Sequence, residues 1–392
     1  MKLGIVTSSR YVRVGNQYYT TGTFDADFWR ETLNGFDEVV HMHPVVRGHI
    51  IEKEFRPALG PGMEFIELPA FRGFFSLLRV LPKWFTITRK AAKEADIWLL
   101  HAPNIPSILL FPWLRLYGIQ YALEIRGEQG MDITYLKLRG TRFAWLVACI
   151  VRTTFWLERA KPIAVLSVSK YMLDKYPPRR SCPTVIASNS RLSKEFFGSP
   201  RAWERDGVRT IISVARLGAE KDHEGIIKAC AAVEKRRFKN WRLVIVGDGP
   251  LKPKLDRLIK ELGLTDKVEL TGFIPWGTKL FERLKQADLF VINTLCEGMP
   301  RSVIEAMAMA LPVIGTNVGG IPEVLDVDDV VPPRRPDILS QKIYEVLSDP
   351  QRMTRMSKRN AEKAKEYSAE VLSNRKIEFY KLLRQLVEKE KN

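Results

Sequence analysis

The sequence predicts an α/β fold of two doubly wound, parallel-sheet domains, and three observations predict it. Short aliphatic or β-branched runs alternate with helical stretches along the chain. The alternation occurs twice, with an aperiodic stretch between the two series. The 392 residues are also too many for one ordinary core and suit two domains of about 150 to 200 residues each.

The first series is LGIVT, DEVVHM, IWLLHA, YALEIR and PIAVLSVS; the second is TIISVA, WRLVIVGDG, KVELTG, ADLFVINT and LPVIGT. Each run has the length and composition of a strand, and the helical stretches between them make βαβ units. Between the series lies RLSKEFFGSPRAWERDGVR, where Gly198, Ser199, Pro200 and Gly207 break any period. The expected division is therefore residues 1–197, residues 208–366, and a C-terminal helix over 367–392 that packs back toward the first domain. Val371, Ile377, Tyr380, Leu382 and Leu386 are that helix's expected apolar contacts. With no short repeat or low-complexity tract, solenoids and propellers are excluded.

Hydrophobic residues make up 45% of the chain and charged residues 27%, which excludes disordered and fibrous classes. The longest apolar run, near Phe143 to Val151, is shorter than the ~20 residues of a membrane-spanning helix. MKLGIVTSSR lacks a small-residue cleavage site and reads as the first strand. Cys149, Cys182, Cys230 and Cys296 are far apart with no CxxC pair, so a reduced, cytoplasmic chain is expected. The net charge is +17, and residues 1–200 hold 27 basic against 17 acidic side chains, so both halves are basic. Such a balance points to phosphate-rich ligands, an anionic membrane surface or nucleic acid. No RNA-binding signature supports the last of these, and no nucleic acid partner is expected.

CEGMPRSVIEAMAMALPVIG follows the strand ADLFVINT, which places Glu297 in a loop at a strand's carboxyl end, where parallel sheets bind ligands. Pro300 suits the first position of the next helix, whose leading amides are free to hold an anion such as a diphosphate. Gly298 lets the backbone come close. Glu305, eight residues after Glu297, is placed to accept two hydrogen bonds from a ribose diol, and Glu297 to face sugar hydroxyls. The plain alternative is that Glu297 caps the helix and Glu305 is solvated. In SVARLGAEKDHEGIIKA, Arg216 and Lys221 occupy the loop after a strand. Two preplaced cations stabilise a departing diphosphate without a metal; the alternative is a pair of solvated surface cations. Gly247 and Gly272 mark tight turns after further strands, a feature of nearly every α/β fold.

Together these residues resemble the GT-B fold retaining glycosyltransferases of family 4, the glycogen-synthase-like group, with the match concentrated in residues 209–325. Arg216 and Lys221 stand where that family binds donor phosphates. Glu297 and Glu305 form its E-x7-E pair, and EGMP with EAMA is its usual wording. The resemblance implies two facing Rossmann-like domains with a C-terminal helix crossing back. It also implies a nucleotide-sugar donor such as a UDP- or GDP-sugar, retention at the anomeric carbon, and no metal or other cofactor. The expected donor-binding residues are Arg216, Lys221, Glu305, Gly22, Gly247, Gly272, Gly298, Met299, Pro300 and Ser302. Glu297, His101 and Arg126 are the expected catalytic residues.

In the first half, IWLLHAPNIPS resembles the family's strand ending in His before Pro, here His101, and SNS at 188–190 resembles its Asn before the linker. Where many members have a His at the end of the next strand, YALEIRGEQG places Arg126. An arginine cannot act as a base. The proton acceptor is then Glu124, Glu128 or a leaving-group phosphate oxygen. Gly15 and Gly22, in SSRYVRVGNQYYTTGTF, are candidates for a loop reaching the donor, with Gly22 favoured. His41 and His43 have no third ligand nearby and are not expected to bind metal, and Asp326, Asp328 and Asp329 are expected in a turn.

Basic residues interleave with aromatics in FRGFFSLLRVLPKWF (71–85), which fits either an interface helix on an anionic membrane or a core helix. TRFAWLVACIVRTTFWLERAKP is expected to be a core helix with charged tips. A membrane contact at 71–85 implies a lipid-linked acceptor and a peripheral place on the inner face of the cytoplasmic membrane. Two other functions compete with glycosyl transfer: a sugar-nucleotide epimerase or hydrolase on the same fold, and a polyanion-binding protein.

Overall fold

The computed structural model describes residues 1–20, 24–48, 50, 55–71, 74–127, 131, 133–138, 140–141, 143–204, 207–234 and 238–391. Two compact units emerge, Met1–Ala187 with Ser373–Asn392, and Ser188–Leu372. The segment expected to be a linker belongs to the second unit. Arg201 N donates to Ser357 Oγ (2.9 Å), Trp203 Nε1 to Asp288 Oδ1 (2.9 Å), and Gly198 N to the Ala308 carbonyl (2.8 Å). Its lack of periodicity reflects irregular backbone anchored by individual side chains, which a periodic pattern does not register.

The first unit is built on a sheet ordered β10-β9-β8-β7-β1-β4-β2-β3-β5, with β6 also paired to β4. Its strands are β1 (Lys2–Val6), β2 (Tyr11–Val14), β3 (Gln17–Thr20), β4 (Glu38–Arg47), β5 (Arg56–Pro57), β6 (Met63–Pro69), β7 (Ile97–Ala102), β8 (Gln120–Ile125), β9 (Val165–Ser167) and β10 (Thr184–Ile186). The stretch read as a glycine loop is in part a hairpin: β2 and β3 pair antiparallel around Gly15, whose φ of 61° suits the turn. Gly22 lies outside the described residues.

From β6 to β7, β8 and β9 the chain steps in one direction along the sheet. Right-handed crossovers then put α1 (Phe74–Ala91), α2 (Ile105–Tyr117) and α3 (Ala144–Glu158) on the same face. Asn104 and Ser107 close a capping box at the start of α2. In α3 the expectation of a core helix is corrected. Only Ala144, Ala148, Val151, Phe155 and Glu158 are buried, while Trp145, Leu146, Ile150, Trp156 and Leu157 are exposed.

The second unit has a wholly parallel sheet ordered β13-β12-β11-β14-β15-β16. Its strands are β11 (Arg209–Val214), β12 (Trp241–Val246), β13 (Val268–Gly272), β14 (Leu289–Val291), β15 (Val313–Thr316) and β16 (Val330–Val331). Ile211, Leu243, Ile245, Leu289 and Val291 pack with Ile226, Ile227, Cys230 and Val233 of α4 (His223–Glu234) in one core. The order reverses between β11 and β14, so their carboxyl ends flank a topological switch point. The loop after β14 leads into α5 (Arg301–Ala308).

The last helix, α6 (Ala369–Lys391), buries Phe379, Tyr380, Leu383 and Val387. Of the expected contacts Tyr380 is buried, and Val371, Ile377, Leu382 and Leu386 are half-buried, each one position from a buried residue. Two faces of this helix have apolar residues at helical spacing. Lys376 marks the inward one: it is buried, 3.7 Å from Glu31 and 4.5 Å over the Phe28 ring. A hydrophobic pattern has no reason to place a lysine inside.

Candidate active site

In the second unit the side chains at the switch point are positioned by stitched loops. After β11 the chain makes a short turn, Ala219–Lys221, and the Glu220 carbonyl accepts from Leu295 N (2.8 Å) and Thr294 Oγ1 (3.1 Å) of the loop after β14. Thr294 is tied to the next strand: Thr316 Oγ1 donates to its carbonyl (2.8 Å) and accepts from its amide (3.1 Å). Asp222, in the left-handed region at φ 35°, accepts from Asn293 Nδ2 (2.8 Å) and the Gly225 amide (3.1 Å), which starts α4. The result is that Lys221 Nζ donates to Glu297 Oε2.

Glycines allow the loops to approach this closely. A Cβ on Gly247 would sit 2.0 Å from the Ala215 carbonyl oxygen, and one on Gly319 would sit 1.9 Å from that of Glu297. The Gly320 amide donates to the Gly298 carbonyl (2.8 Å), and the Gly247 amide to that of Gly272 (2.9 Å). Arg216 is exposed on the loop after β11.

Pro300 is the N-cap of α5, in extended conformation, one position earlier than the expected first helical residue, and no side chain caps the helix. Glu297 is therefore no cap. Gly298 and Met299 are buried and Ser302 half-buried beside it. Glu305 is buried rather than solvated. Burial pushes its carboxyl above the ordinary value, against the opposing pull of Arg301 and a hydrogen bond from Trp276.

In the first unit a second cluster lies at the carboxyl ends of β7 and β8. His101 and Glu124 are register partners in this parallel pair, and Arg126 follows two residues on, on the same face. His101 Nε2 is 2.7 Å from Glu124 Oε2, Arg126 Nε donates to Glu124 Oε1 at 2.5 Å, and Arg126 Nη2 is 3.1 Å from His101 Nε2. Trp29 stacks on the imidazole and Phe24 lies under the guanidinium, 4.4 Å away. Burial would raise Glu124, but Arg126 and His101 outweigh it and hold the carboxyl well below the usual range. Burial, then Arg126, lowers His101 to about 4, so the ring is neutral at pH 7. Glu124 is thus a fixed counter-ion and a poor base. Glu128 lies outside the described residues.

His41 and His43 are fully buried beside this cluster, and burial lowers His41 to about 3. His43 Nδ1 is 3.2 Å from Thr7 Oγ1. No group of three or more His, Cys, Asp or Glu among the described residues is placed to hold a metal ion. Asp326 caps a short turn, where Asp329 is buried against Arg352 and Arg359.

Sequence reasoning named His101 and Arg126 but left Glu124 among several bases. The available signal was its spacing, two residues before Arg126 on a strand. It missed Asp222 and Asn293, which carry no motif, and Lys376, whose place depends on the rotation of α6.

Two α/β units on largely parallel sheets, one with a charged pair across its switch point, make the kind of fold on which GT-B glycosyltransferases are built. Residues 199–364 match the family described as glycosyl transferases group 1. The chain is 30% identical over 314 residues to the alpha-D-kanosaminyltransferase of Streptomyces kanamyceticus, covering 74% of this chain and 79% of that protein. Its fold is similar to sucrose-phosphate synthase from Thermosynechococcus elongatus (TM-score 0.72, 18% identity, 98% of each chain). It is similar also to Anabaena HepE solved with UDP-glucose (TM-score 0.67, 15% identity, 97% and 99% covered). The chain belongs to glycosyl transferases group 1, and it is a glycosyltransferase.

Proposed function

We propose that this enzyme is a retaining, metal-independent hexosyltransferase. It moves a sugar from a UDP- or GDP-sugar to a saccharide or lipid-linked saccharide acceptor in the assembly of a surface polysaccharide or glycolipid. The observation that carries the reading is the Lys221–Glu297 pair across the switch point. The donor diphosphate lies against the uncapped start of α5, with Arg216 and Lys221 as its cations and Glu305 accepting from the ribose diol. As the glycosidic bond breaks, negative charge grows on the leaving diphosphate, and cations already in place stabilise it without reorganisation. Glu297 holds Lys221 at that point and faces the sugar hydroxyls. Arg126, fixed by Glu124, orients the acceptor beside neutral His101, and the acceptor proton passes to a leaving phosphate oxygen on the same face of the sugar. HepE, whose fold is similar, is bound to UDP-glucose, which supports a UDP-sugar donor. The stretch 71–85 contacts an anionic membrane and holds the enzyme on the inner face of the cytoplasmic membrane.

Thermal unfolding against UDP-, GDP- and ADP-sugars without added metal tests the donor site. A ligand at about 100 times its Kd stabilises by roughly 2.7 kcal/mol. One nucleotide class is expected to stabilise the wild type and neither Arg216→Ala nor Glu305→Ala. No shift with any donor overturns the proposal. Turnover of the donor without an acceptor, at the rate seen with one, favours a hydrolase or epimerase.

A further inference from the structure

The outward face of α3 is the anomaly of the first unit. Its buried side is mostly small (Ala144, Ala148, Val151), while the large apolar residues face solvent: Trp145 is 60% exposed, Ile150 52% and Trp156 47%. At 3.6 residues per turn, Trp145, Trp156, Leu146, Leu157 and Ile150 fall within an arc of about 140°, on the side of the helix away from the buried Ala148, Val151 and Phe155. The neighbouring helices extend the pattern. α1 exposes Leu78 and Phe85, and α2 exposes Leu116. The ring of Phe85 packs edge-on to Trp113 of α2, which joins the two helices into one surface.

The charges on this layer have one sign. Arg79, Lys83, Arg89 and Lys90 on α1, Arg115 on α2 and Arg152 on α3 are all exposed. Among the residues of these three helices the only carboxylate is Glu158, which is buried. Protein interfaces are depleted of Lys and mix charges of both signs in a polar rim, whereas this face rings an apolar stripe with cations alone. Trp145 and Trp156 sit about 16 Å apart along the axis, and the guanidinium of Arg179 lies 3.8 Å over Trp156. Aromatic rings at the level of lipid headgroups, beside cations for the phosphates, are the pattern of an interfacial helix. At 15 residues, α3 is about 22 Å long, too short to cross a hydrocarbon core of about 30 Å.

We propose that the outer face of α3, flanked by α1 and α2, docks in the plane of an anionic lipid bilayer. This extends the contact well beyond 71–85, and it does not depend on the donor chemistry of the second unit.

Flotation with phosphatidylcholine vesicles, with and without 30% phosphatidylglycerol, tests it using the full chain. Wild type is expected to float with the anionic vesicles, less with the neutral ones, and less again as salt is raised. The variant Trp145→Gln/Ile150→Gln/Leu157→Gln is expected to partition at least tenfold more weakly, with its thermal unfolding and its stabilisation by a nucleotide-sugar unchanged. Leu78→Gln/Phe85→Gln is the second arm. Loss in that arm alone returns the contact to 71–85 and overturns the role of α3. Wild type that binds no anionic vesicle overturns docking altogether. So does light scattering in which wild type is a dimer and the α3 variant a monomer, which makes the face a contact between copies. None of these outcomes bears on the donor site, which nucleotide-sugar stabilisation reads separately.

Discussion

Lys221 and Glu297, 76 residues apart in sequence, form an ion pair across the switch point of the second unit's sheet. Both side chains are mostly buried, and the loops that hold them are tied together by backbone hydrogen bonds rather than by the pair itself. The pair can therefore be altered without loosening the loops. Lys221→Met is expected to lower kcat by about 10²- to 10³-fold, the loss seen when one preplaced donor to developing negative charge is removed. The donor KM should change far less. Steady-state kinetics with the donor identified by thermal shift check this, and a kcat within threefold of wild type would reduce the pair to a structural contact.

Glu305 separates binding from stability. Burial raises its pKa above the ordinary 4.5, so its charged form weighs on the fold. The sign follows from linkage: stability is fullest below the unfolded pKa and falls as pH rises through the raised folded value. Glu305→Gln removes that ionisation. The free variant should unfold at pH 8 no lower than wild type, yet bind donor about tenfold more weakly, because an amide accepts from a ribose diol less well than a carboxylate. Calorimetric titration with donor and thermal melts at pH 5 and pH 8 read the two effects independently.

How much was legible in the sequence depended on whether a residue's neighbours were local. The strands carrying His101, Glu124 and Arg126, and the loops carrying Lys221 and Glu297, follow from runs of aliphatic residues with ligand-type residues at their carboxyl ends. Glu305 follows from its spacing in a helix. The inward face of α6 and the outward face of α3 did not follow. Each carries apolar residues on more than one side, so periodicity gives a helix without its rotation. In α6 a buried Lys376 sets the rotation, and in α3 small residues do. The β2–β3 hairpin went unread because its turn, around Gly15, looked like a loop with a ligand role.

Glu158 supplies a prediction in pH alone. It is the last residue of α3, fully buried, and burial, only partly offset by Ser107, pushes its carboxyl up to about 8. In the unfolded chain it ionises near 4.5. Between these values the native state keeps a proton that the unfolded state has lost, so wild type loses stability steadily as pH rises. Glu158→Gln mimics the protonated form and escapes the loss. Its melting temperature should match wild type at pH 4.5 and exceed it by a margin that grows up to about pH 8. Parallel melting curves across that range would show that the carboxyl is not buried as described.

Glu124 is the negative centre of the first unit's cluster, with Arg126 and His101 on it directly and Lys376 of α6 adding positive charge nearby. Replacing it by glutamine keeps the shape and removes the charge. Arg126 then keeps a half-buried guanidinium without its counter-ion, and breaking such a buried pair from one side costs about 3–5 kcal/mol. Urea unfolding should show that loss for Glu124→Gln and little of it for the double variant Glu124→Gln/Arg126→Met, where no charge is stranded. The two variants separate structure from catalysis. If the single variant's activity is lost and the stable double variant's does not return, Arg126 is needed for the reaction and Glu124 serves by holding it. If the double variant recovers activity, the cluster is a folding element, and acceptor chemistry belongs to other residues.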